Sequence, residues 1–454
     1  MGECIESLYE DRSKFAGPLA FHFKEAHEPL KAAKYALISA QLEQSRYSFD
    51  EVEKWCKFGL KIVNELHSNK EIREIKLEIL TELALSCLNS GNIEKAHKNY
   101  ITLLDYSIQI SAETQKIAQC YAYMGGLCDS LMRIDEGLKY IQQGKALLEE
   151  KNIPFSEPHI CLALNEGLLY TRIGDNEKVV ELLQDIILKS NDLRQTVPLQ
   201  LSLIGVYNSL SAALGYLSRY KESISGYLKA IEIAKQNEDL RMEMIALIDM
   251  AADYIIIGRL KEAKIVVNKG MELAVKIGDL ENQGYALATI GWLLLVQCQY
   301  TDSILALRKA IDIFEKIGSK WYLPYAYTDM ALAYLRMSDL NISHKYAVKG
   351  NDSARNVKNA IGLNLDAIGQ IEAAFKNWEK SAENFEAAID IFKEMKRPCH
   401  IALSERNLAE MLLQKSDDKS KALKLLHKAM KTFKELNLTY EAEKTYSIID
   451  GVRN

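Results

Sequence analysis

Residues 219–223 read Arg-Tyr-Lys-Glu-Ser, 259–263 Arg-Leu-Lys-Glu-Ala, 299–303 Gln-Tyr-Thr-Asp-Ser and 339–343 Asp-Leu-Asn-Ile-Ser. Their last residues, Ser223, Ala263, Ser303 and Ser343, stand 40 apart each time. A fixed period of this length marks a chain that grows by repetition rather than around one centre. The column runs back through Val179, Gly137, Ala96 and Val52 and forward through Ser381 and Ala422. The successive gaps from Val52 are 44, 41, 42, 44, 40, 40, 40, 38 and 41 residues, and every occupant is small or β-branched.

Twelve residues earlier lies a second column: Ala40, Ala84, Gly125, Gly167, Ser211, Ala251, Gly291, Ala331 and Gly369, with Ala409 displaced by one. Seven residues after the first column lies a third: Gly59, Leu103, Gly144, Ile186, Ala230, Gly270, Ala310, Gly350, Ala388 and Ala429. Two antiparallel helices approach to about 8–10 Å only where small side chains meet at the crossing. A small residue on helix A, a turn, and two small residues seven apart on helix B therefore describe a helical hairpin. Four residues after the first column stands a larger group, among them Tyr100, Ile141, Leu183, Tyr227, Val267, Leu307, Phe385 and Leu426. Its expected role is to fill the space between hairpins, which bury their apolar faces only by stacking.

These columns resemble the tetratricopeptide pattern, which has small residues at positions 8, 20 and 27 and an aromatic at 24. The resemblance covers roughly residues 30–436. It departs in a period near 40 rather than 34 and in lacking the proline that closes helix B. Stretched repeats of this kind are similar to those of the bacterial maltose-regulon activator and other large signalling ATPases, and kinesin light chains have similarly long ones. The expected fold is an all-α solenoid of about ten hairpins, a right-handed superhelix. The expected organisation is N-terminal helices over 1–47, the repeat superhelix over 48–436, and a capping helix and tail over 437–454.

Residues 19–41 form one more candidate hairpin, with Ala20 and Ala32 twelve apart and Pro29 at the turn. Ala20, His22, Ala26, Ala32, Tyr35 and Ala40 also resemble the segment that opens the repeat arm of signal-transduction ATPases with numerous domains. That resemblance implies a sensor or scaffold arm whose ATPase lies elsewhere, since no G-x-x-x-x-G-K-[ST] occurs in the chain.

The composition agrees with helices. Seven Pro and 23 Gly in 454 residues leave little punctuation for a loop-rich fold. A net charge of −5, from 57 basic and 62 acidic residues, gives no footprint for nucleic acid or an anionic membrane. No apolar run reaches the ~18 residues a membrane span needs. Residues Met1 to Glu6 carry no signal core, and Glu6 stands where myristoylation wants Ser or Thr. Eight cysteines without a C-x-x-C pair read as reduced thiols, most of them core residues, in a soluble cytoplasmic protein.

Catalytic signatures are missing. His22 and His27 fall on different faces, no zinc-ligand spacing occurs, and Gly125-Gly126 belongs to a helix-crossing column. Acid pairs such as Glu149-Glu150 and Asp417-Asp418 sit at helix ends. The expectation is no enzyme, no cofactor and no metal. Lys421, Lys424, Lys428 and Lys431 share one face of the last helix B, which reads as a solvated convex surface.

Helix A builds the inner wall of this hairpin family, and its positions 2, 5, 9 and 12 share a face. Three consecutive repeats place there Ile245, Ile248, Ala252 and Ile255; Tyr285, Ala288, Trp292 and Leu295; Tyr325, Thr328, Leu332 and Leu335. The reading is an apolar, aromatic groove that accepts a protein or peptide segment, with Tyr285, Trp292 and Tyr325 as anchors; the alternatives are inter-helix core, and a ligand-gated regulator that closes on a short peptide or small molecule. A carboxylate clamp is not expected, because Lys at position 5 and Asn at position 9 are both missing. Nothing in the sequence indicates self-association.

Overall fold

The computed structural model describes residues 13–191, 193, 196–319, 321–354, 357–415 and 418–453. Met1 to Glu6, Cys4 included, and Asp417 lie outside the described residues. Apart from one 3-10 turn at Ser13–Phe15, the regular structure described is α-helical. The chain divides into two compact units, the first ending at Leu169 and the second beginning at Tyr170. The first holds α1 (Ala16–Glu25), α2 (Pro29–Ser45), α3 (Phe49–Glu65), α4 (Lys70–Asn89), α5 (Ile93–Gln109), α6 (Thr114–Ser130), α7 (Ile134–Glu150) and most of α8 (Glu157–Ile173). The second holds α9 (Asn176–Ser190), α10 (Val197–Tyr216), α11 (Tyr220–Gln236), α12 (Leu240–Ile256), α13 (Leu260–Ile277), α14 (Leu280–Val296) and α15 (Tyr300–Ile317). It continues with α16 (Leu323–Arg336), α17 (Leu340–Ser353), α18 (Lys358–Ala374), α19 (Trp378–Glu394), α20 (Pro398–Lys415), α21 (Lys419–Glu435) and α22 (Thr439–Arg453).

Consecutive helices pair as hairpins: α2 with α3, α4 with α5 and α6 with α7, then α10 with α11 and so on to α20 with α21. This is the all-α solenoid that the small-residue columns require. The columns also show why serine recurs in one of them. The hydroxyls of Ser223, Ser303, Ser343 and Ser381 each donate to the carbonyl of the small residue twelve earlier, at Ser211, Gly291, Ala331 and Gly369. All four bonds measure 2.7 Å, and all four serines are fully buried. The helices cross so closely there that a side-chain hydroxyl reaches the neighbouring backbone.

The larger group that follows lands on the small residue of its own hairpin rather than only between hairpins. A Cβ added at Gly291 would lie 2.5 Å from Leu307, one at Gly125 2.5 Å from Ile141, and one at Gly369 2.8 Å from Phe385. Glycine is required there by the neighbour's volume.

Helix ends follow local chemistry. Asp175, Asp239, Asp279, Asp339 and Asp418 cap the helices they precede by accepting a backbone N–H three residues on. Gly174, Gly258, Gly278 and Gly318 take φ between 72° and 87° at the turns between helices. At equivalent turns the left-handed conformation is held by Ser218, Cys298, Ser338 and Lys376, with φ of 60–63°. Such a position costs an L-residue about 1–2 kcal/mol relative to glycine's freedom, and no residue type announced it.

The second unit winds until its turns touch. The loop after α10 meets the start of α20, where the Cys399 backbone N–H donates to Ser218 Oγ at 3.3 Å. Glu177 pairs with Lys396, and Gly258 packs against Tyr440. Between these turns lies a small core of Tyr220, Cys399, Phe433, Leu438 and Ala442. The C-terminal α22 closes the last hairpin by burying Ile449 against Ala409, Ala422 and Leu426.

Candidate functional site

The inner wall of the second unit is lined by the A helices α10, α12, α14, α16, α18 and α20. Of the twelve residues read as a groove, Ile245, Ala252, Tyr285, Trp292, Leu295, Tyr325 and Leu332 are half-buried. Ile248, Ile255, Ala288, Thr328 and Leu335 are buried. Position 5 turns into the hairpin: Ile248 lies 2.6 Å from the Cβ position of Gly270 on α13, and Thr328 faces Gly350 on α17. Thr328 Oγ1 donates to the Pro324 carbonyl at 2.9 Å.

Polar and aromatic side chains form a ladder from one A helix to the next. The Tyr285 hydroxyl donates to Asp249 Oδ1 at 2.7 Å, and the Tyr285 ring stacks on Tyr322 with centroids 4.3 Å apart. Asn359 Nδ2 donates to the Tyr325 hydroxyl at 3.2 Å, and Arg397 Nη1 donates to Asn359 Oδ1. Asp366 accepts from Gln370 at 2.8 Å and from Asn407 at 2.9 Å. Two cations span the unit through aromatic faces. The Arg397 guanidinium sits 4.7 Å from the Tyr216 ring centre, and that of Arg172 3.3 Å from Trp321.

Four carboxyls on this wall share one electrostatic state. Burial pushes Asp249 up to about 6, Asp253 up to about 7 and Asp329 up to about 7, and it raises Asp366 against the pull of its hydrogen bonds. Asp249, Asp329 and Asp366 nevertheless keep part of their surface open to solvent. Protein surrounds them on most sides while water still reaches them. Asp253 is enclosed beside Ser223, whose single hydroxyl hydrogen faces two acceptors, Asp253 Oδ2 and the Ser211 carbonyl. Protonating Asp253 removes that conflict.

Toward the C-terminus the wall opens into a cleft of about 260 Å³ with polar lining from Arg336, Gln370, Asn407, Glu410, Gln414 and Lys444. Burial lowers the Lys444 ammonium below its ordinary range. Such a recess presents donors and acceptors suited to a peptide backbone or a carboxylate. The Lys421 to Lys431 stripe is exposed, and Lys428 is paired with Glu405.

The sequence reading missed Tyr216, Asp249, Asp329, Asn359, Asp366 and Arg397. One signal was available: a carboxylate within an otherwise apolar A helix, as in the run Ile248-Asp249-Met250-Ala251-Ala252-Asp253.

Fold and site together define a tetratricopeptide-like helical-repeat protein with an aromatic, carboxylate-bearing inner wall. No family model and no curated protein matches the sequence. Solved structures of similar fold include a Rap protein complexed with competence and sporulation factor, 13% identical with a TM-score of 0.52. The similarity covers 74% of this chain and 98% of that one. The apo form of the quorum sensor NprR from B. thuringiensis is 14% identical with a TM-score of 0.52, covering 75% of this chain and 97% of that one. Aspartyl phosphate phosphatase F from Bacillus subtilis is 14% identical with a TM-score of 0.48, covering 88% of this chain and 94% of that one.

These similarities correct one expectation. The sequence reading excluded enzymatic activity because helical repeats carry no catalytic signature, and that exclusion does not stand, since the fold shared with the Rap protein is not in itself evidence against catalysis. A missing motif therefore does not exclude catalysis here. The seven described cysteines are free thiols, five of them buried. No helix among the described residues is long and apolar enough to cross a membrane.

Proposed function

We propose that the inner wall of the second unit binds an extended protein segment or short peptide, and that the chain is a regulatory scaffold. The observation that carries this reading is the half-exposed row of Tyr285, Trp292 and Tyr325 beside the half-exposed carboxyls of Asp249 and Asp329. Packing alone does not call for ionisable groups on an aromatic wall, whereas a segment with apolar side chains and a basic or amino group uses both. Ile245, Ala252, Leu295 and Leu332 supply the apolar contacts around those anchors. The fold it shares with a Rap protein that binds a factor and with a quorum sensor supports the reading. Service within a larger signalling ATPase rests on the resemblance of residues 19–41 alone.

A second reading, a regulator gated by its ligand, is favoured by the junction between turns. Among the described residues its links include Cys399 to Ser218, Glu177 to Lys396 and Arg397 on the Tyr216 ring, beside the small apolar core around Tyr220, so a ligand that binds one winding better than another shifts it.

The test is a displayed peptide library selected against the full chain and counter-selected against the Trp292→Ala/Tyr325→Ala variant. Enriched peptides should lose about 30-fold or more in affinity for the variant, the size of a hot-spot loss. Equal binding to both proteins, with the variant's helix content intact, sinks the groove. For the gated reading, small-angle scattering should show a changed radius on peptide addition.

A further inference from the structure

We propose that His97, Cys128 and Glu136, in the first unit, hold a zinc ion with water as the fourth ligand. The three residues come from three successive helices, His97 from the start of α5, Cys128 from the end of α6 and Glu136 from the start of α7. They meet because each flanks a small-residue column: Ala96, Gly125 and Gly137 draw the helix ends together. Their donor atoms, one nitrogen, one sulfur and one oxygen, all lie within 4.8 Å of one another.

The unpaired imidazole points to a ligand independently of that cluster. His97 is 7% exposed, and its Nε2 is buried without a hydrogen-bond partner. The facing Glu136 Oε1 is 4.0 Å away, beyond hydrogen-bonding distance. A buried polar atom left unsatisfied costs about 1–3 kcal/mol, so native proteins seldom keep one without a use. Cys128 is fully buried, while Glu136 is half-exposed and gives the site its opening to water. The other side of the Glu136 carboxylate faces Arg133 Nη1 at 3.8 Å, which orients the free oxygen toward the imidazole.

A mixed nitrogen, sulfur and oxygen donor set suits zinc and excludes calcium or magnesium, which take oxygen ligands. Tetrahedral zinc with ligand bonds of about 2.0–2.3 Å places its donors roughly 3.4–3.6 Å apart. The donors must therefore close by up to about 1.4 Å, through small rotations of the three side chains. A cysteine thiol free of metal is largely protonated at neutral pH. Metal binding then releases that proton, and affinity rises with pH.

The experiment uses the full chain, reduced and stripped with chelator, titrated with Co²⁺ and then with Zn²⁺. Expected are a tetrahedral Co²⁺ spectrum with a thiolate charge-transfer band and displacement by one equivalent of Zn²⁺. Cys128→Ser should abolish the charge-transfer band. His97→Gln and Glu136→Gln should each weaken Zn²⁺ by about tenfold or more. Zn²⁺ should raise the melting temperature of the wild type and leave that of Cys128→Ala unchanged, with helix content checked by circular dichroism. A folded wild type with no tetrahedral Co²⁺ spectrum overturns the proposal. So does a thiolate band that survives Cys128→Ser, which would place the metal on another of the eight cysteines.

Discussion

Replacing Gly291 by alanine tests the physical basis of the whole repeat. Two effects oppose each other. An alanine in a helix interior gains about 1 kcal/mol over glycine. The added Cβ, however, would lie 2.5 Å from Leu307 Cγ and 2.7 Å from its Cδ2, against about 3.5–4.0 Å for a comfortable carbon contact. Leu307 is fully buried and the clash involves its branch point, so rotating its tip gives little relief. Overpacking of this kind costs about 1–3 kcal/mol. The net expectation is destabilisation of up to about 2 kcal/mol, the opposite sign from helix propensity. Urea unfolding followed by circular dichroism reads it. Leu307→Ala alone should cost about 2–5 kcal/mol. The double variant should fall short of the sum by about 1 kcal/mol or more, because the new methyl occupies the vacated space. If Gly291→Ala stabilises the protein by its full propensity gain, the helices do not touch at that column and the reasoning from small residues fails.

Three further outcomes follow from the same geometry. Ser303→Ala should cost about 0.5–1.5 kcal/mol through the lost bond to the Gly291 carbonyl; unchanged stability would show that the repeated 2.7 Å contact contributes nothing. Ser338→Gly should stabilise by up to about 1 kcal/mol by relieving its φ of 62°, and a loss of melting temperature would refute that. The third outcome concerns Asp253, whose folded value near 7 stands above the ~3.9 of an unfolded aspartate. Its contribution to stability is thus full below about pH 4 and is lost as pH rises through 7. The fall in urea midpoint between pH 5 and pH 8 should be shallower in Asp253→Asn; parallel curves would contradict the raised value.

The sequence by itself determined the architecture. Alanine, glycine and serine at fixed spacing state where helices cross, and that information is local, contained within one hairpin and repeated. It placed Ile248 and Thr328 on the inner face, but the tertiary structure turns both into the hairpin, because a one-position difference in facing is within the rotation left open by a helical period. Two positions were legible in part: Tyr285 and Tyr325 were read as wall residues, while their partners Asp249 and Asn359 were not. What only the tertiary structure decided is the set of neighbours made by winding. Ser218 and Cys399, 181 residues apart, meet because small rotations accumulate from hairpin to hairpin until one turn rests on another. Each rotation depends on packing along a whole interface, and no residue type encodes their sum. By the same winding Arg172 reaches the Trp321 ring and Arg397 the Tyr216 ring, encounters that no single hairpin contains.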